Sequence, residues 1–147
     1  MNTRAILVLL SLSLVLPAAC RRYEHMAYQP TSTMSVAEAK HGILRSLEEQ
    51  RGKRAVANIE ITDEKLGFSP TRGAKVSARR TVLYFVSLGE MTLSRRHRSY
   101  YVRVRNLEGA HRFYVVVTSP ELAKRFMDAM LVMGENARRR PVDGHRE

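Results

Sequence analysis

"SYYVRVRNLEGAHRFYVVVTSPELAKRFMDAM", residues 99–130, decides the fold. In its first part Tyr100, Val102 and Val104 alternate with Tyr101, Arg103 and Arg105, the period of two that a half-buried strand imposes. "NLEGAH" then carries the Asn and Gly of a turn. "RFYVVVTS" follows as a second strand, and its unbroken apolar run predicts a central strand covered on both sides. Beyond it the period becomes helical. Ser119 is a natural N-cap, Pro120 suits the first helical position and Glu121 complements the positive end of the dipole. Leu122, Phe126, Ala129, Met130 and Met133 form one apolar stripe, and Gly134 predicts the end of the helix. A hairpin followed by a helix that covers its apolar face is the kernel of an α+β domain.

Working upstream, "EMTLSRR" after Gly89 gives a short strand with Met91 and Leu93 on one face, and "TVLYFVSL" from Thr81 is β-branched and aromatic enough for a buried one. "SPTRGAKVSARR", residues 69–80, has little to bury and predicts a long loop. In "RAVANIEIT", Ala55, Ala57, Ile59 and Ile61 point one way while Val56, Asn58, Glu60 and Thr62 point the other. Asp63 and Glu64 make a turn, and "KLGFS" returns with Leu66 and Phe68 inward. Ahead of these strands "SVAE" offers a capping box between Ser35 and Glu38. Val36, Ala39, Ile43, Leu44 and Leu47 then recur at helical spacing, stopped by Gly52 in "RGK". The predicted order is an amphipathic helix, about six strands in antiparallel hairpins, and a closing helix.

The N-terminus has a different character. Arg4 lies in a short polar start, residues 5–16 are an apolar run, and Ala18 and Ala19 precede the single cysteine, Cys20. These are the zones of an export signal. The run is too short for a transmembrane helix, which needs about 20 residues. Leu16, Ala18, Ala19 and Cys20 resemble the lipobox of bacterial lipoproteins, with Pro17 standing where that family usually has leucine. The resemblance implies that residues 1–19 are a removed signal peptide and that Cys20 becomes an acylated first residue, carrying palmitate-like chains into the membrane. An ordinary secretory signal whose cleavage site falls near a cysteine is the other reading. A lone thiol cannot close an intramolecular disulfide, and multiple acylation converts it into a lasting anchor. In the Gram-negative members an aspartate after the cysteine usually retains the protein at the inner membrane. Arg21 stands here instead, which implies an outer-membrane location facing the periplasm in such a host. Residues 20–34 lack apolar periodicity and predict a tether. The domain is expected over residues 35–135 and a frayed basic tail over 136–147.

At 147 residues the chain has room for one domain, and 44% hydrophobic content argues against wholesale disorder. Its 25 Lys plus Arg against 14 Asp plus Glu make an acidic partner more natural than a basic one.

The strand order, "SLGEMTL", "YYVRV" and "SPELAKRFMDAM" together resemble bacterial pleckstrin-homology-like domains of envelope proteins. That resemblance covers about residues 55–133, the Ser35 helix being an addition. It implies a strongly bent antiparallel sheet or partly open barrel, plugged at one end by Ala123, Phe126 and Met130. Eukaryotic members that bind phosphoinositides carry cations between the first two strands. Here that loop, "TDEKLG", is short and holds two acids, so the ligand does not carry over.

The cations lie elsewhere. Arg72, Lys75, Arg79 and Arg80 belong to the long loop, and Arg95, Arg96 and Arg98 flank His97 in "SRRHRS". Two such loops at one mouth can bind anionic lipid headgroups or another envelope polyanion, with Tyr100 and Tyr101 beside them. A merely solvated surface is an equal alternative. Nucleic acid suits the chemistry but is a weaker partner for an exported protein.

Signs of an enzyme are missing. His25, His41, His97, His111 and His145 are dispersed without metal-ligand spacing, and there is no phosphate loop or nucleophile elbow. Asp63 and Glu64 read as turn residues rather than a catalytic pair, and the Met127 and Met133 region as core. No metal or cofactor is expected. The sequence thus predicts a lipid-anchored envelope protein acting as an interaction or scaffolding module for a protein partner, with direct binding of anionic lipid as the alternative.

Overall fold

A computed structural model describes residues 23–140. The expected signal segment and Cys20 lie outside the described residues, as does the end of the expected basic tail. The architecture is α+β: two helices and two antiparallel sheets that do not close into a barrel.

The first sheet has the order β1 (Glu24–Met26), β6 (Leu88–Arg96), β7 (Ser99–Asn106), β8 (His111–Val117). The second is built on β3 (Lys65–Arg72), which pairs with β2 (Val56–Ile61), with β4 (Lys75–Val76) and with β5 (Thr81–Tyr84). Helices α1 (Val36–Glu48) and α2 (Pro120–Arg139) pack on each other, and α2 also covers the first sheet.

The core lies where these layers meet. Leu93, Val102, Val104, Phe113, Val115 and Val117 supply the inner face of the first sheet, and Leu66, Phe68 and Leu83 that of the second. Ala123, Phe126 and Met130 of α2 are fully enclosed between them. Complete burial of a side chain the size of Phe126 or Met130 is worth about 1.5–3 kcal/mol, which is why a helix with this stripe docks. Phe68 and Phe113 meet edge to face at 5.2 Å across the two sheets.

Helix α1 begins on a complete capping box. Ser35 Oγ accepts from the Glu38 amide at 3.3 Å, and the Ser35 amide donates to Glu38 Oε2 at 2.8 Å. Its buried positions are Ala39, Gly42, Ile43, Ser46 and Leu47, so Leu44 stands at the margin of the stripe. Ser119 caps α2 by accepting from the Leu122 amide at 3.2 Å.

Several sequence expectations need correction. The stretch expected as a tether over 20–34 is docked from Tyr23 onward. Glu24–Met26 pairs with Arg95, Ser94 and Leu93 as strand β1. Tyr28 then donates to Asp128 of α2 at 2.9 Å, and the Thr31 amide donates to the same carboxylate at 2.7 Å. Side-chain bonds hold this segment where apolar periodicity is lacking.

Gly134 does not end α2, which continues to Arg139 through the start of the expected tail. The glycine instead admits a close neighbour, since a Cβ there would lie 3.1 Å from Leu88 Cδ2. The long loop over 69–80 is in part a hairpin, β3 continuing to Arg72 and turning at Gly73 into β4.

Strict alternation fails in β2. Asn58 has φ 53° and the pairing register shifts between Ala57 and Glu60. The bulge lets Val56 join Ile59 and Ile61 against the core. The run expected as one strand from Thr81 is broken by a 3-10 turn at Phe85–Ser87 before β6 begins.

Finally, β8 is an edge strand. Phe113, Val115 and Val117 point inward while Tyr114 is half exposed.

Candidate functional site

The register of the first sheet fixes which side chains share its outer face. Ser94 opposes Tyr101, which opposes Val116, and in the next row Thr92 opposes Arg103, which opposes Tyr114. The inner-face alternation that buries Val102 and Val104 therefore turns Tyr101 and Arg103 toward solvent.

On this face cations and rings alternate. The Arg96 guanidinium lies 5.1 Å from the Tyr23 ring centre and donates to its hydroxyl at 3.3 Å. Tyr23 meets Tyr101 edge-on at 5.0 Å, and the Arg54 guanidinium sits 5.3 Å from the Tyr101 ring. Tyr114 follows at 6.4 Å from Tyr101, with His111 stacked on it at 5.7 Å. Each cation–ring contact at an exposed site contributes about 0.5–1 kcal/mol, a modest bias toward this arrangement. Partial burial first, then the charges of Arg103 and Arg105, hold the His111 imidazole below its ordinary value.

The candidates named from the sequence separate into two groups. Arg80 is paired at the surface: its guanidinium bonds Glu60, which also takes Lys65 at 3.1 Å. It lies across Gly67, where a Cβ would come within 2.7 Å of Nη2. Arg80 thus differs from the other cations named from the sequence in already having an acidic partner.

Arg72 and Lys75 face each other across the β3–β4 turn, and Arg95, Arg96 and Arg98 crowd the β6–β7 turn, where His97 takes φ 56°. Arg79 lies in the connection to β5, its amide held by Ser77 Oγ at 3.1 Å. Among the described residues none of these six forms an ion pair.

The two hairpin turns lie at the same end of the domain. The 3-10 turn Gly52–Arg54 joins them, because Lys53 lines a hollow with Arg72 and Gly73 while Arg54 reaches the Tyr101 hydroxyl at 3.5 Å. The β3 backbone is tied to the same turn by Thr71, whose amide donates to the Ala55 carbonyl at 2.9 Å.

Sequence reasoning missed Tyr23, Arg54 and Tyr114. Tyr114 was obscured by reading β8 as central, and Tyr23 and Arg54 lie outside any periodic segment. Alternation alone marks Arg103 as outward, and it is exposed, whereas the register shift between Val104 and Arg105 leaves Arg105 half-buried.

Asp63 bonds Lys40 at 2.6 Å and also Arg140, joining the β2–β3 turn to both helices. Bonds from Lys40 and then Arg140 hold its carboxyl below the usual range. It is a staple between elements. Among the described residues no group of His, Cys, Asp and Glu is arranged to hold a metal, and no helix is long and apolar enough to cross a membrane. No family model, curated protein or solved structure matches the chain.

Proposed function

We propose that the chain is a lipid-anchored cell-envelope protein whose domain works by non-catalytic contact, as an interaction or scaffolding module for a protein partner. The observation that carries this reading is the outer face of the first sheet, where Tyr23, Arg54, Arg96, Tyr101, Arg103 and Tyr114 stand together. Tyr and Arg are enriched among the residues that anchor protein interfaces, Tyr because it offers a large rigid contact area at low entropy cost and Arg because its planar guanidinium presents a fork of directed donors.

A pleckstrin-homology-like relationship fits the succession of two antiparallel meanders and a closing helix that buries Ala123, Phe126 and Met130. The anchor reading rests on the signal-like N-terminus and Cys20. A Gram-negative host then gives the periplasmic side of the outer membrane as the address.

Mass spectrometry of the mature protein tests the anchor: a chain beginning at Cys20 with added acyl mass supports it, and an unmodified start elsewhere refutes it. A photo-crosslinking residue at Tyr114, used in cells, tests the module. Recovery of one defined protein adduct is expected, and adducts no different from those at exposed Ala37 of α1 refute it.

The second reading, direct binding of anionic lipid, draws on a different observation. Arg72, Lys75, Arg95 and Arg98 are unpaired cations at the ends of two hairpins.

A further inference from the structure

The place where the chain enters the fold bears on how the domain meets a bilayer. Strand β1 runs antiparallel to β6, with Glu24 opposite Arg95, so the chain enters beside the β6–β7 turn. Tyr23, immediately before β1, already touches Arg96. Only residues 21–23 separate Cys20 from β1, and a chain of that length spans at most about 14 Å. The expected tether thus joins the sheet at Glu24, and its later part is held by Asp128 of α2.

The same end carries the β3–β4 turn with Arg72 and Lys75, together with Lys53 and Arg54. Acids at this end are Glu24 opposite Arg95, Glu48 and Glu49 where α1 finishes, and Glu121 at the start of α2. Arg51 donates to the carbonyls of Glu48 and Gln50, and Glu121 bonds Ser119 at 2.8 Å. Among the described residues, the two hairpin turns themselves carry Arg72, Lys75, Arg95, Arg96 and Arg98, with Glu24 as the one acid paired across from them.

We infer that the domain stands on an anionic bilayer through these two basic turns, with β6–β7 and β3–β4 as its two points of contact and the outer face of the first sheet left free at its side. The inference rests on the anchor reading of Cys20. Charge complementarity supplies the attraction, and the short connection lets the cations come within the surface potential, which decays over a Debye length of about 8 Å at physiological ionic strength. An anchor combined with a basic patch is a stable two-part attachment. The contact is with a lipid surface as a whole, through turns, rather than with one headgroup in a pocket.

The test uses the acylated protein in vesicles of phosphatidylcholine alone or mixed with phosphatidylglycerol. Nitroxide labels go on Val76→Cys in β4 and on Leu107→Cys beyond β7, both exposed apolar positions whose replacement removes no charge. On the mixed vesicles the Val76 label is expected to lose most of its collisions with an aqueous nickel chelate, while the Leu107 label keeps its own. Salt at about 1 M, where the Debye length is about 3 Å, should reverse the loss. The R72E/K75E/R98E variant should abolish it, and among the described residues those three side chains form no ion pair that the change would break. Equal accessibility of the two labels on both vesicle types, in protein carrying the acyl mass, overturns the docking and leaves the anchor standing. Protein without acyl mass that does not sediment with either vesicle overturns the anchor itself.

Discussion

Gln50 and Val116 exchange two hydrogen bonds: the side-chain amide donates to the Val116 carbonyl at 2.8 Å, and the Val116 amide donates to Gln50 Oε1 at 3.1 Å. A side chain just past α1 thereby occupies the position of a neighbouring strand along the open edge of β8. The same Nε2 reaches the Ser46 carbonyl at 2.9 Å, so the helix end and the sheet edge are tied by one buried group. Edge strands need such covers, since unpaired backbone groups invite pairing with another chain.

Gln50→Ala is expected to cost about 1–3 kcal/mol, because two backbone groups of a partly buried edge lose their partners. Chemical denaturation measures the loss, and amide exchange at Val116 should accelerate beyond the global change. Unchanged exchange at that amide would mean that the pairing contributes nothing.

Asp128 holds the segment between β1 and α1, so Asp128→Ala should loosen residues 24–34 while the β6–β7–β8 sheet keeps its protection. The loss of charge-assisted bonds from Tyr28 and Thr31 is worth about 1–2 kcal/mol at this partly exposed site. Hydrogen exchange read peptide by peptide distinguishes local release from global destabilisation.

The same contact has an alkaline signature. Burial first, then the bond to Asp128, raises the Tyr28 phenol from 10.0 to about 12. The unfolded chain therefore ionises before the folded one, and stability present below pH 10 is expected to fall as pH rises from 10 toward 12. Tyr28→Phe should flatten that part of the profile, measured by denaturant midpoints across the range.

His111 gives the opposite sign on the acid side. Its folded value lies below 6.5, so the unfolded chain takes up a proton first and this residue's contribution to stability declines as pH falls below 6.5. Arg103→Gln removes one of the repelling charges and should move the imidazole titration upward, as followed by NMR of the ring protons. A titration that stays in place would show that Arg103 contributes nothing and that burial and Arg105 account for the effect.

Two glycines should respond differently to alanine. At Gly89 a Cβ would lie 2.2 Å from the Asn106 carbonyl oxygen, where β6 bulges against β7. Backbone cannot yield there, and Gly89→Ala should cost about 3 kcal/mol or more. At Gly67 the obstacle is the end of the Arg80 side chain, which can swing away at the expense of a half-exposed ion pair worth at most about 1 kcal/mol. Thermal melts of both variants check the order.

What the sequence revealed and hid follows from the kind of force at each position. The β6–β7 strands and α2 were legible because burial imposes a period, and Val102, Val104, Phe126 and Met130 keep to it. Strand β1 was illegible, since Glu-His-Met carries no pattern and is held by its neighbour's backbone and by Asp128. The bulge at Asn58 and the overrun past Gly134 were likewise hidden, because each depends on a contact distant in sequence. The basic turns could be named residue by residue, yet that Arg80 faces Glu60 and that two turns meet at one end are facts of tertiary structure.

The antiparallel docking of β1 also governs how the domain bears mechanical load. A pull on the N-terminus, directed outward past the β6–β7 turn, runs along the strand axis and stresses the β1–β6 bonds together, in shear, instead of opening them one at a time. Such a pull would thus be resisted first by a three-residue clasp, with the Asp128 latch as reserve behind it.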